Sequence, residues 1–354
     1  NLLLLTVVWV GEYDEWLLPL DGRLPQAVLD AHNEQNVAAG KVKGRLVAVP
    51  QQADYGVMFS RTDLLTKYGY ASPPTTVEQM DEMINQIVPQ ERKSNPNFLG
   101  VSGQIKAYEG GTCNVLEWLL GENAGIILEP DGTLSSLDQS SPTGQRAISV
   151  GRRWRDWARR GWILLGQDEW PSMREWLRGN VLFHRNWPLV AVQTRQANVG
   201  FPWVMTRLPG NVGTLGGWLW GVSKYTKNPD AVLQVLQFFL SPEFQKIRTV
   251  QYGSPPTAKV LYNDSDVCAA LGDCTLFRGI NIATRPSGAA GKNYPQVTKA
   301  IYNYWVDIVN GVGTVEGKLG AMNREIARVL NIDVLGPPTN ISISHPLALA
   351  VVVL

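Results

Sequence analysis

The side chains that could carry out catalysis are few and widely spaced in this chain of 354 residues. Its three histidines are His32 in a polar stretch, His184 in an apolar run and His345 near the C-terminus. A nucleophilic triad needs a histidine held beside a serine or cysteine, and no Gly-x-Ser-x-Gly motif is present to supply the serine. We expect His184 to be a buried, hydrogen-bonded core residue and the protein not to be an enzyme.

Motifs for cofactors and metals are also missing. No Walker A or Gly-x-Gly-x-x-Gly motif occurs, and Gly-Trp-Leu-Trp-Gly at 217–221 lacks the Lys-Ser/Thr pair of a phosphate-binding loop. Cys113, Cys268 and Cys274 include no Cys-x-x-Cys pair, so we predict no metal site. Nothing singles out the two facing carboxylates that a glycosidase needs. We therefore predict no cofactor.

Tryptophan is the unusual residue, with 13 copies. An indole offers a flat apolar face with one N–H donor at its edge, which suits the apolar faces of sugar rings. Most of these tryptophans should lie in the core, but their excess slightly favours a carbohydrate site. The net charge is +1 and no basic run exceeds two residues, which argues against nucleic-acid binding.

The elements that must position such a site alternate between strands and helices. This order predicts an α/β fold with mainly parallel strand pairing, and the length suits two domains. We predict strands over 3–10, 45–50 and 56–60, with 51–55 as a connector. Periodicity and capping residues predict helices over 61–68, behind the capping box at 76–79, over 114–121 and 145–158, after Asn228-Pro229 and Ser241-Pro242, and over 297–309 and 314–330.

Cysteines, sequons and the C-terminal end suggest a location outside the cytoplasm. Cys268 and Cys274 flank a short loop and are expected to form a disulfide, which leaves Cys113 free and buried. Asn263 and Asn340 lie in Asn-x-Ser/Thr triplets, so both are candidate glycosylation sites.

The C-terminal segment 336–354 ends in an uncharged, mostly apolar stretch that is too short to span a bilayer. It is open to three interpretations, namely the beginning of a transmembrane segment, a lipid-anchor signal, or a strand that packs on a partner. We expect an extracellular or periplasmic, membrane-anchored protein.

Eight segments occur in a recognisable order along nearly the whole chain. They are Leu46 to Leu65, the Tyr-Gly…Pro-Pro-Thr-Thr segment at 68–76, Tyr108 to Trp118, Phe183 to Pro188 with Asn-Trp-Pro, Thr214 to Lys227 with Gly-Gly-Trp, Ser-Pro-Glu-Phe-Gln at 241–245, Gly-Ser-Pro-Pro-Thr at 253–257 and Arg-Pro-Ser at 285–287. In this order they resemble the extracellular solute-binding proteins of ABC transporters, in the branch that binds maltose and trehalose.

The resemblance implies a two-lobed, periplasmic-binding-protein-like fold of type II. Its first lobe would comprise 1–52 and 208–252, and its second lobe 53–207 and 253–335, with hinges near 51–54, 202–208 and 252–256. The family's first lobe begins with a strand-helix-strand unit that would precede residue 1, so we expect the N-terminal part of this lobe to be missing. The tail at 336–354 would be a membrane-proximal or partner-binding segment.

The resemblance and the chemistry of sugars together imply a set of ligand-binding residues. Sugar rings need aromatic platforms, and their hydroxyls need fixed polar partners that tolerate burial. Trp187 and Trp218 are the expected platforms, and Gly216 and Gly217 would let backbone amides approach the ligand. The other candidates are Asp54 and Arg285, then Tyr108 and Glu109, and finally Tyr55, Glu12 and Trp9.

The implied function is to trap a small maltose- or trehalose-like carbohydrate by hinge closure and to deliver it to an ABC permease. Two alternatives stay open at this point. The same closure could signal through the chain's own transmembrane segment, as the sugar-sensing ectodomain of a membrane receptor. The chain could also be a non-binding structural subunit of a larger membrane-associated assembly.

Overall fold

Two four-stranded sheets, one two-stranded sheet and flanking helices make up the computed structural model, which describes residues 1–129, 134 and 137–332. The strands are β1 (Leu2–Thr6), β2 (Lys41–Val42), β3 (Arg45–Leu46), β4 (Ala48–Tyr55), β5 (Val57–Arg61), β6 (Leu99–Ser102), β7 (Val181–Asn186), β8 (Trp203–Arg207), β9 (Val212–Val222) and β10 (Asn281–Ala283). The helices are α1 (Val10–Tyr13), α2 (Gln26–Asp30), α3 (Glu34–Ala38), α4 (Thr62–Lys67), α5 (Val77–Glu91), α6 (Glu109–Gly121), α7 (Pro142–Arg159), α8 (Glu169–Leu177), α9 (Leu189–Gln196), α10 (Pro229–Leu240), α11 (Pro242–Tyr252), α12 (Ser265–Leu271), α13 (Cys274–Arg278), α14 (Ser287–Ala290), α15 (Tyr294–Val309) and α16 (Val315–Leu330). The predicted tail at 336–354 and the sequon at Asn340 lie outside the described residues.

Strand direction differs from the prediction. In the first sheet, β9 pairs with β1 and β4 antiparallel and with β10 parallel. The second sheet has the order β6-β7-β5-β8, in which β5 runs antiparallel to both of its neighbours. Mainly parallel pairing was therefore a wrong prediction, because apolar patterning indicates where strands lie but carries no information on their direction.

The strand that links the two sheets is longer than expected. β4 continues through 51–55, paired with β9, and only Gly56 separates it from β5. The register shifts between Pro50 and Gln52, where a bulge accommodates a proline that cannot donate to the ladder. The connector at 51–55 was a wrong prediction, and the range 202–208, named above as a hinge, is largely β8. The lobe boundaries placed near these ranges stay predictions.

The N-terminal strand is shorter than expected. β1 ends at Thr6, the backbone N–H of Trp9 donates to Thr6 O at 2.9 Å, and α1 begins at Val10. Val8 and Val10 are buried, so the apolar run 3–10 is divided between a strand and a helix. Trp9 and Glu12 consequently lie beyond the end of β1, outside the sheet.

The largest core lies against the second sheet. Trp118, Trp154 and Trp157 are each 1% exposed, and their rings form a chain with centroid separations of 5.0 and 5.4 Å. His184 is fully buried, with its Nδ1 2.7 Å from Ser102 Oγ, which confirms the predicted core role. Within the described part of the chain, none of the helices combines the length and the apolar character needed to cross a bilayer.

Candidate functional site

Three of the predicted residues meet where β7 ends beside the β4–β9 ribbon. Trp187 directly follows β7, and the ribbon register places Asp54 opposite Gly216. A Cβ built on Gly216 would lie 2.8 Å from Cζ3 of Trp187 and 3.2 Å from Cβ of Asp54. The absence of a side chain at Gly216 therefore lets the half-buried indole lie against β9, next to the Asp54 carboxylate.

The edge of the Trp187 indole is held by a carboxylate that the sequence analysis missed. Trp187 Nε1 donates to Glu169 Oε1 at 3.3 Å, and the Tyr108 hydroxyl donates to Glu169 Oε2 at 2.7 Å. Burial, followed by the negative charge of Glu169, raises the pKa of Tyr108 well above its ordinary value, so Tyr108 stays a donor. Glu169 stands in the first turn of α8, where acidic residues are common, and no sequence signal marked it.

A buried ion pair lies behind Trp187. The guanidinium Cζ of Arg185 is 4.3 Å from the Trp187 ring centroid, and its Nε donates to Glu117 Oε2 at 2.6 Å. Both side chains are 0% exposed, and Arg185 Nη1 also donates to Gln104 Oε1 at 2.6 Å. Glu117 Oε1 accepts the backbone N–H of Thr214 at 2.9 Å. The pair thus joins α6, β7 and β9 beneath the indole.

The sequence did contain a signal for this pair. Arg185 stands in β7, which begins with the apolar run 181–183, and Glu117 stands among the apolar residues of α6. A charged residue in a buried element needs an opposite charge, because an unpaired one costs too much to bury.

Arg285 and Glu109 form a second, partly buried ion pair. Arg285 Nη1 donates to Glu109 Oε1 at 2.7 Å, and Thr298 Oγ1 donates to Glu109 Oε2 at 2.8 Å. Tyr294 also donates to this carboxylate. Arg285 Nη2 lies 3.4 Å from the carbonyl oxygen of Leu215, beside Gly216. Glu109 is therefore occupied by protein donors and positions Arg285 against the ribbon.

Asp54 is a buried carboxyl group with a shifted pKa. Burial raises its pKa from 3.8 to about 6, against the opposing effect of Gln52, whose Nε2 donates to Asp54 Oδ2 at 2.7 Å. Arg248 Nη2 in turn donates to Gln52 Oε1 at 2.6 Å. A buried carboxylate with room for further hydrogen bonds is a suitable partner for ligand hydroxyls.

Replacing Asp54 by asparagine is expected to stabilise the free protein at pH 8 by about 2–3 kcal/mol and to have no effect at pH 3. The folded protein holds the Asp54 proton more tightly than the unfolded chain does, so ionisation of Asp54 destabilises the folded protein. This cost is absent below pH 3.8, grows as the pH rises to 6 and is complete above pH 6. Urea unfolding at both pH values measures the difference. Asp30→Asn, which removes an exposed carboxylate, is the control, and an equal gain in both variants would contradict the assignment.

A second group of predicted residues lies on the first-sheet side. Trp218 is 39% exposed and pairs with Thr6 on one side and Gln52 on the other. Trp9 is 43% exposed, and its backbone bond to Thr6 brings it to the same end of the sheet. Gly217 has φ +93°, and a Cβ there would meet Gln52 O at 2.5 Å. Glu12 is half-buried on α1.

Tyr55 does not join either group. It is 2% exposed, its hydroxyl donates to Asn36 Oδ1 at 3.0 Å, and its ring packs near Phe277. Successive side chains of a strand point to opposite faces of the sheet. Asp54 lies on the face next to Trp187, so Tyr55 lies on the opposite face, in the core. We therefore leave Tyr55 out of the proposed site.

The remaining predicted positions lie away from this cluster. Cys268 and Cys274 form a disulfide with Cα atoms 5.0 Å apart, and Cys113 is free and buried. Asn263 is exposed, and its side chain accepts a hydrogen bond from Arg278. Among the described residues, no group of three His, Cys, Asp or Glu side chains is placed to hold a metal ion.

Comparison with known proteins gives consistent results at three levels. The model of a family described as bacterial extracellular solute-binding protein matches residues 15–271. A probable ABC transporter-binding protein of Deinococcus radiodurans is 32% identical over 337 residues, which cover 92% of this chain and 79% of that protein.

Solved structures extend the similarity to the fold. The maltose-bound MalE3 of T. maritima superposes with a TM-score of 0.80 at 26% identity, covering 94% of this chain and 84% of that one. A solute-binding protein of an ABC transporter from Thermotoga lettingae, bound with α-D-tagatose, has a TM-score of 0.79 at 16% identity, covering 93% and 85%. These superpositions confirm the predicted two-lobed α/β fold.

Proposed function

This chain belongs to the family of bacterial extracellular solute-binding proteins, and on that premise we propose that it binds a small maltose- or trehalose-like carbohydrate for an ABC importer. The family consists of binding proteins, which confirms that the chain is not an enzyme. The maltose carried by the T. maritima protein, which is 26% identical over 94% of this chain, supports the choice of ligand class.

The observation that carries the proposal is the half-buried Trp187 indole beside the Asp54 carboxylate. The ring offers an apolar platform, and the missing side chain at Gly216 lets this ring lie against β9 beside Asp54. Asp54 accepts hydrogen bonds, while the guanidinium of Arg285 donates them. An apolar face flanked by charged hydrogen-bonding groups is the combination that a pyranose ring requires.

Closure of the two lobes would bring the first-sheet residues onto the same ligand. Trp218, Trp9 and Glu12 would contact the sugar only in the closed arrangement, so the ligand would stabilise that arrangement. A shift from mostly open to mostly closed needs about 5 kcal/mol of differential binding. Tyr108 and Glu109 act in this proposal through Glu169 and Arg285, which they position.

The partner in this function would be the permease of an ABC transporter, on the outer side of the membrane. The family is extracellular, and the Cys268–Cys274 disulfide suits an oxidising compartment. Glycosylation at Asn263 and attachment to a membrane stay predictions.

Replacing Trp187 by alanine is expected to weaken carbohydrate binding by about 100-fold, because truncating a central aromatic contact costs roughly 2–4 kcal/mol. Isothermal titration of the purified chain with maltose, trehalose, glucose and tagatose measures the parent affinities, and the tightest sugar is then titrated into the variant. Tyr225→Ala removes an aromatic side chain that is 68% exposed after β9 and should leave the affinity unchanged. Absence of binding to every sugar, or equal affinities of the parent and Trp187→Ala, would refute the proposal.

A further inference from the structure

A crevice of about 110 Å³, open to solvent, lies beside Trp187 where β7 ends and α8 and α9 begin. Its walls are Glu169, Trp170, Met173, Asn186, Leu189 and Val190. The crevice adjoins the proposed sugar platform, because its wall residue Glu169 accepts the Trp187 Nε1 hydrogen bond and its wall residue Asn186 precedes Trp187 in the chain. A ligand that lies on Trp187 therefore needs only one substituent directed past Glu169 to reach the crevice.

The polar groups of the crevice are already engaged within the protein. Glu169 accepts from Tyr108 and Trp187 with its two carboxylate oxygens. Asn186 Oδ1 accepts the backbone N–H of Trp187 at 2.8 Å, and its Nδ2 donates to Glu169 O at 3.1 Å. The crevice therefore offers a second hydroxyl-rich ring few polar partners that do not already have one within the protein.

The other walls are apolar, and one of them is unusually exposed. Met173, Leu189 and Val190 contribute thioether and aliphatic surface, while the Trp170 indole is 59% exposed to solvent. An apolar group placed against this surface would lose contact with water, which is the main source of affinity for such a site. This volume is well below the roughly 300–1,000 Å³ of pockets that enclose a whole ligand, so the crevice has room for one aromatic ring or a short alkyl chain and no more.

We propose that this crevice receives the apolar aglycone, aryl or alkyl, of a glycoside whose sugar ring lies on Trp187. The inference rests on the proposed function, and it narrows the ligand class from free saccharides to glycosides with an apolar substituent. Trp170 would determine this specificity by forming the wall on which the aglycone lies.

The test compares methyl and phenyl glycosides of glucose and of maltose, both anomers of each, by isothermal titration into the whole chain. The phenyl compound of the preferred sugar should bind at least ten times more tightly than its methyl counterpart, a difference of about 1.4 kcal/mol. Trp170→Ala should remove this advantage without changing the affinity for the methyl glycoside. Leu189→Gln, in another wall, should have the same effect, and Tyr225→Ala should change neither affinity.

Three other outcomes would each refute a different part of the proposal. Equal affinities for the methyl and phenyl compounds would refute the aglycone site and leave the proposed sugar site standing. A phenyl preference that survives both Trp170→Ala and Leu189→Gln would refute the assignment to this crevice. Failure of all these glycosides and of the free sugars to bind would refute the proposed function and, with it, the inference that rests on it.

Discussion

Replacing Glu117 by glutamine is expected to lower the free energy of unfolding by about 3–5 kcal/mol, the usual cost of breaking a buried ion pair from one side. Glutamine has nearly the same shape as glutamate, so the loss does not come from a cavity. It comes from the Arg185 guanidinium, which is 0% exposed and would keep its charge without a counter-ion. Urea unfolding at pH 7 measures the change.

Two further variants separate the charge effect from a general loss of packing. Adding Arg185→Met to Glu117→Gln removes the unpaired charge, so the double variant should recover at least about 2 kcal/mol of the loss. Arg178→Ala breaks an exposed pair with Glu175, in which Arg178 is 64% exposed, and should cost about 0–1 kcal/mol. A double variant as unstable as Glu117→Gln alone would contradict this explanation.

The same pair has a consequence for the proposed site. Because Arg185 lies against the ring of Trp187, removing its guanidinium leaves the indole without support on that side. The charge pair is thus part of the platform, although neither side chain is accessible to a ligand.

Lowering the pH from 7 to 4.5 is expected to remove about 5 kcal/mol of stability through two buried histidines. Burial lowers the pKa of His184 to about 3 and that of His32 to about 4, against 6.5 for the ordinary side chain. Both stay neutral in the folded protein while the unfolded chain takes up protons. The stability that the two neutral histidines contribute is therefore complete above pH 6.5. It is lost as the pH falls towards their pKa values in the folded protein.

Asp54 offsets part of this loss. Because its folded pKa is raised to about 6, protonation favours the folded protein as the pH falls, and about 2 kcal/mol is regained over the same interval. The histidine effect is larger, so the net expectation is a loss of about 3 kcal/mol.

Urea unfolding at pH 7, 5.5 and 4.5 tests the histidine effect directly. His32→Gln keeps a neutral polar side chain beside Thr257 and should reduce the acid-induced loss by about half of the histidine contribution. His184→Gln should do the same. In the double variant the gain in stability from protonating Asp54 should no longer be outweighed by the histidines. An unchanged slope in all three variants would show that other groups control the acid sensitivity.

The sequence alone determined the class of the protein and much of its local structure. The order of eight short segments indicated the family, and capping residues located helix starts such as Thr76 before α5 and Ser241 before α11. These features are local, because a cap hydrogen bond involves residues two or three positions apart. The platform candidate Trp187 and the glycine candidate Gly216 also came from short motifs.

Tertiary structure alone decided which of these candidates meet. Strand direction, the passage of β4 through 51–55 and the register of Asp54 against Gly216 depend on pairing between distant segments. A shift of one residue in that register would have exchanged the positions of Asp54 and Tyr55, so that the phenol and not the carboxylate would face Trp187. Glu169 and the Arg185–Glu117 pair likewise acquire their roles from contacts between residues 18 and 68 positions apart, which periodicity in the sequence does not encode.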